Sequence, residues 1–187
     1  MKTIQMRLSF RPVGAVVGAL AFLLSLAASV SAADITPFVG NFIGSAEVVS
    51  TDGVRSPRDM SVDITETRNG FTVQWVSTTY KPDGRTKVKS YSIDFVPSDR
   101  DGIYSAAMER NVFGHAVQLD PMKGEPFVWG RIVRDTLTVY SLFVDDEGGY
   151  EMQQYDRTLA TGGLMLEFSF SRNGAQQRSV SSFLKRQ

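Results

Sequence analysis

The sequence predicts an all-β domain: an antiparallel up-and-down meander of about ten strands that curls into a barrel. Three observations predict it. Beyond residue 33, short runs alternating apolar and polar residues follow one another, which is the period of a half-buried strand. Clusters of Gly, Asn, Asp and Pro break these runs at short intervals. Most connections are too short for a crossover helix, so neighbours in sequence must be antiparallel neighbours in the sheet. A meander of this length twists at every strand pair, and closing on itself removes both exposed edges.

The elements follow in order. Asn41 to Val49 reads as a first strand, ended by Thr51-Asp52-Gly53. Asp59 to Glu66 places Met60, Val62 and Ile64 on one face, and Asn69-Gly70 then supplies the positive φ of a tight hairpin. Phe71 to Thr79 directs Phe71, Val73 and Trp75 one way, up to the turn at Lys81-Pro82-Asp83-Gly84. Thr86 to Val96 sets Lys87, Lys89, Tyr91, Ile93 and Phe95 against Val88, Ser90, Ser92 and Asp94. Ile103 to Arg110 reads as a strand, although Ser105 to Arg110 also has the composition of one short helix. Asn111 to Pro126 is the one long irregular stretch. Strands resume at Phe127 to Val133, Thr136 to Val144, Tyr150 to Arg157, Leu164 to Arg172 and Arg178 to Arg186. Their turns are Arg134-Asp135, Asp145 to Gly149, Leu159 to Gly163 and Asn173-Gly174. No internal repeat or linker interrupts the series.

The leading residues stand apart from this pattern. Lys2, Arg7 and Arg11 precede an apolar run from Val13 to Ala28, and small residues follow in Ser29-Val30-Ser31-Ala32-Ala33. A basic start, an apolar middle and a small-residue exit make a secretory signal peptide. Residues 1–32 are therefore expected to be removed, with 33–187 forming a single domain in the periplasm or outside the cell. An uncleaved anchor is the alternative, since the apolar run approaches the roughly 20 residues that cross a bilayer.

Composition narrows the function. The chain contains no Cys, which excludes disulfides, thiolate metal sites and cysteine nucleophiles. It carries 20 basic and 20 acidic residues, and losing the leader's three basic ones leaves a slightly acidic domain. The basic residues form no stripe, so nucleic acid is not an expected partner.

The strand series resembles the calycin superfamily of lipocalins, fatty-acid-binding proteins and their relatives over the whole domain. Lipocalins open their first strand with Gly-x-Trp and pack a basic residue of the last strand over that ring. Gly40-Asn41-Phe42 stands at the first position, with Phe in place of Trp. Lys185 or Arg186 stands at the second. The resemblance implies a calycin-like barrel with an internal cavity and a small apolar ligand.

Candidate ligand-binding residues come from the aromatic set and its polar neighbours: Trp75, Phe95, Trp129, Tyr140 and Tyr155, with Arg110 and Arg131 placed to meet an acidic head group. The same aromatics could simply fill a small barrel. The central stretch adds Phe113 and His115, because loops of more than about 12–15 residues in a compact domain are often lids or binding loops. His115, the only histidine, offers a haem ligand or a general base, but it has no second ligand near it in sequence. A histidine bonded to nearby backbone is the simpler reading. No Gly-x-Ser-x-Gly elbow surrounds any serine. The acidic turns Asp99 to Gly102 and Asp145 to Gly149 lack the spacing of a calcium loop and read as solvated hairpins. No catalytic residue, metal site or cofactor is expected.

These observations favour an exported β-barrel that binds a lipid or other small apolar ligand in an internal cavity. The alternative is a non-catalytic structural or envelope-interaction protein with a filled core. An outer-membrane barrel, a haem-binding barrel and an enzyme rank below both.

Overall fold

A computed structural model describes residues 34–49, 55–107, 109–110 and 116–187. Its strands are Gly40–Val49 (β1), Arg55–Thr67 (β2), Gly70–Tyr80 (β3), Thr86–Pro97 (β4), Ile103–Ala106 (β5), Glu109–Arg110 (β6), Ala116–Val117 (β7), Phe127–Val133 (β8), Thr136–Val144 (β9), Tyr150–Ala160 (β10), Gly163–Arg172 (β11) and Ala175–Arg186 (β12). Ten of them form a closed barrel in the order β1-β12-β11-β10-β9-β8-β5-β4-β3-β2, and β6 pairs only with β7. Every neighbouring pair is antiparallel, and β1 closes on β12 through Phe42 opposite Arg186 and Ile43 opposite Lys185. The expected all-β meander of ten strands is the fold observed.

Two details differ from the sequence reading. Residues 103–106 are a strand, and no α-helix is found among the described residues; the short helical pieces are 3-10 turns at Thr36–Phe38 and Pro121–Lys123. The helix-forming composition of Ser105 to Arg110 yields at Ser105 and Ala106 to ladder bonds from β4 and β8, while Glu109 and Arg110 pair with β7. Several strands also run past their apolar ends, since tight turns let the ladder continue into polar residues. Thus β2 starts at Arg55, β10 reaches Ala160 so that the turn is Thr161-Gly162, and β12 starts at Ala175.

Alternation sends every second residue inward, and the inward apolar residues gather at one end of the barrel. Phe42, Ile64, Phe71, Phe95, Leu137, Leu164 and Leu184, from seven strands, are each no more than 1% exposed. The Phe71 and Phe95 rings stack at 5.1 Å, and Tyr104 meets Phe71 edge-on at 4.9 Å. Each buried ring or branched side chain contributes about 1.5–3 kcal/mol, so this plug carries much of the fold's stability.

A cation seals the plug from outside. The Arg186 guanidinium lies 4.6 Å from the centre of the Phe42 ring. It also donates to two carbonyls of the incoming chain, that of Pro37 at 3.0 Å and that of Val39. Gly40 is required beside it: φ there is +145°, and a Cβ would collide with the guanidinium. The cation-over-ring pair that the lipocalin resemblance implies is therefore formed by Arg186 rather than Lys185.

Arg186→Ala removes the ring contact and both carbonyl bonds, and is expected to lower unfolding free energy by roughly 1–3 kcal/mol. Arg186→Lys should recover only part of this, because one ammonium cannot reproduce the planar fork. Urea unfolding of the three proteins checks both statements.

Candidate functional site

The other half of the barrel is not filled. A cavity of about 320 Å³ lies among the inward residues of β2, β3, β4, β10, β11 and β12. Strand parity explains its walls. Met60 and Val62 continue the apolar face of β2, Trp75 that of β3, Tyr155 that of β10, and Phe168 that of β11. Trp75 and Tyr91 face each other across β3 and β4 and stack at 5.1 Å, while Tyr155 packs at 5.6 Å from Trp75 and 4.7 Å from Phe168. The result is an aromatic-walled chamber.

Its floor is a cation. Arg157 on β10 sits between Leu137 of β9 and Leu166 of β11, at the border between the closed-end plug and the cavity, and is 1% exposed. Its guanidinium lies 5.6 Å from the ring centres of both Trp75 and Tyr155. Nε and Nη1 are buried without a hydrogen-bond partner. Burial pulls the Arg157 pKa down to about 10, partly opposed by Tyr155 and Asp156, so the group keeps its charge at neutral pH. Burial likewise pushes the Tyr155 hydroxyl up to about 12, so it stays protonated and donates to Gln153 Oε1 at 2.9 Å.

More cations stand above the floor. Arg58 of β2 donates from Nε to Thr79 Oγ1 at 2.9 Å, and its pKa is lowered by burial first and by Arg178 second. Arg178 of β12 lies over Phe168 and Phe170 at 5.5 and 5.9 Å, with its own Nε buried and unpartnered. Lys81, Lys87 and Lys89, exposed on the β3–β4 hairpin, form the mouth. Among the described residues, no Asp or Glu lines the cavity.

The candidates named from sequence are distributed as follows. Trp75 and Tyr155 line the chamber. Phe95 belongs to the closed-end plug. Trp129, Arg131 and Tyr140 lie on the outer face, because β8 turns Val128, Gly130 and Ile132 inward and β9 turns Leu137 and Val139 inward. Trp129 and Tyr140 are cross-strand partners stacked at 4.7 Å, and Arg131 and Tyr140 border a surface groove with Asp156 and Glu167. Gly130 must face inward, since any side chain there would press on the Phe95 ring. Arg110 lies in β6, with its side chain outside the described residues, as are Phe113 and His115 altogether.

The described end of the central stretch, residues 118–126, contributes no side chain to the cavity lining. Gln118 donates to the Val128 carbonyl at 3.4 Å, and the turn at Pro121–Lys123 packs on β9. Arg58, Arg157 and Arg178 went unnamed, although the signal was present. Each shares the parity of its strand's inward apolar residues and breaks the apolar series with a charge.

A wider concavity of about 660 Å³ lies by β1 to β3 among residues such as Asp59, Thr78 and Lys185, and none of the orphaned buried atoms borders it. Among the described residues, no cluster of three or more metal-capable groups occurs.

Comparison with known proteins adds little. No protein-family model matches the chain, and no curated protein matches it. Among solved structures, it is similar to the S-type phycobiliprotein lyase CPES from Guillardia theta, at 9% identity over 82% of this chain and 90% of that one, with a TM-score of 0.33. It is also similar to an N-terminal dehydratase from the difficidin assembly line, at 9% identity over 91% of this chain and 84% of that one, with a TM-score of 0.23. Likeness at this level carries no argument about function.

An unpartnered guanidinium in a protein interior is destabilising. Arg157→Met keeps the volume and removes the charge, and is expected to raise the ligand-free protein's unfolding free energy by roughly 1–3 kcal/mol. Urea denaturation measures this; a loss of similar size would mean that the contacts with Trp75 and Tyr155 outweigh the desolvation.

Proposed function

We propose that this chain is an exported, calycin-like barrel that binds a small molecule in the open half of its interior. The observation that carries the reading is the aromatic-walled chamber of about 320 Å³, a volume within the range of small-molecule sites. The basic, apolar and small-residue order of the leader supports export, and the Phe42–Arg186 closure supports kinship with calycins. The aromatic walls favour a ligand with substantial apolar surface, lipid-like or otherwise.

The rival readings fit less well. A structural protein that docks through its outside should present a contiguous apolar face. Among the described residues, the exposed large apolar side chains that adjoin one another form only small groups, Met165 opposite Phe183 with Ile43 on the next strand, and Tyr80 with Val88 on the β3–β4 hairpin. An outer-membrane barrel turns its apolar residues outward. Here the apolar plug is inside, and Asp63, Asp94 and Glu167 stand on the outer parity of their strands.

Native mass spectrometry of the protein purified from the cells that make it is expected to show a non-covalent adduct that leaves on denaturation. Ser77→Trp, which fills part of the chamber, should remove the adduct while the protein stays folded. A clean unliganded mass from freshly prepared protein would favour the structural reading instead.

A further inference from the structure

We infer that the ligand is an organic anion with a flat, unsaturated body, and that its acidic group seats on Arg157 at the floor of the chamber. This rests on the chamber being a binding site and names the chemistry that fits it.

The first reason is the orphaned donors. Arg157 is almost wholly buried, and two of its guanidinium nitrogens have no acceptor. Buried polar atoms are nearly always paired, and a missing partner for a charged donor is costly. The partner must be an acceptor, and a charged donor pairs best with a carboxylate or similar oxyanion, which a guanidinium meets with two parallel bonds. Arg178 repeats the arrangement one level higher, with its Nε also buried and unpartnered.

The second reason is that no counter-ion faces these cations among the described residues. Asp156, adjacent to Arg157 in sequence, points to the outer face, where its two oxygens accept from Thr138 and Gln154 at 2.6 Å each. Glu151 shares the inward parity of β10 but is held by Arg172 in an ion pair. None of the ion pairs among the described residues involves Arg58, Arg157 or Arg178. The chamber is therefore a positive pocket in a protein of no net positive charge. The lysines at its mouth extend that potential outward, where it draws anions in.

The third reason is the walls. Trp75, Tyr91, Tyr155 and Phe168 offer ring faces and edges, stacked on one another beside the aliphatic surface of Val62, Leu166 and Val180. Such walls favour a flat conjugated body over a flexible chain, because rings stack in defined offsets with little rotamer loss.

The test compares two probes on the purified protein by fluorescence titration: anilinonaphthalene sulfonate, and phenylnaphthylamine, the same ring system without the acid. The sulfonate is expected to bind at one site at least ~10-fold more tightly, and Arg157→Met to cut that preference by ~10-fold, an amount set by loss of a charge-assisted bond. The wild-type comparison needs no variant, so the inference stays testable if Arg157→Met does not fold. Equal binding of the two probes, or a preference unchanged in Arg157→Met, would overturn the anion inference and leave the chamber as a neutral site. Failure of both probes to bind would overturn the chamber reading, and the inference with it.

Discussion

Strand parity in a closed ladder is the constraint on which the rest depends. Once β1 pairs with β12, no strand can slip by one residue without turning its whole inner face outward. The register is then held by the closed-end plug, where Phe42, Phe71, Phe95 and Leu184 have nowhere else to go. Everything further along each strand inherits its facing from that plug. Trp75 faces inward because it lies two and four residues from Val73 and Phe71, and Arg157 does so because Tyr155 and Leu159 flank it at the same parity. The chamber's residues are thus placed by packing that happens elsewhere.

The two halves of the barrel divide the labour. The closed half is apolar, tightly stacked and sealed by Arg186, whose guanidinium meets a ring and two carbonyl acceptors. The open half holds guanidinium groups at inward positions whose buried N–H groups meet no acceptor. The contrast matters because the chemistry is the same. Where this fold needs a cation for structure it supplies acceptors, so the orphaned nitrogens of Arg157 and Arg178 are not a general looseness of the chain.

Much of this was legible in the sequence, and the reasons for the gaps are physical. Alternation and turn residues gave ten strands, and Gly40-Asn41-Phe42 with Lys185-Arg186 marked the closure. Trp75 and Tyr155 were legible because their strands have one plainly apolar face. On β8 both faces carry apolar residues, Phe127 and Trp129 on one and Val128 and Ile132 on the other, so the pattern alone does not say which is inside. The decision is made by a neighbour: the Phe95 ring fills the space beside Gly130, and only the face of smaller residues fits there. A large aromatic is a poor guide to the interior when the opposite strand has already filled it. The cations were missed for the reverse reason, since a charge within an apolar series reads as the strand leaving the core.

That misreading points to the physics of the site. A barrel could fill its open half with leucines and gain stability from each. This one places Arg157 at the deepest level of the unfilled half and encloses it in aromatic rings, whose faces stabilise a cation by about 0.5–2 kcal/mol. Such contacts soften the cost of burying the charge without satisfying its N–H groups, which need oxygen acceptors in the guanidinium plane. The rings thus keep the site tolerable when empty, and the unspent donors keep it selective when filled. A neutral apolar guest would bury the guanidinium further and leave its donors unpaired, so the floor discriminates against such guests as well as in favour of acids. The stability given up in the open half is recovered in the closed one, where the plug has no comparable polar defect among its described residues.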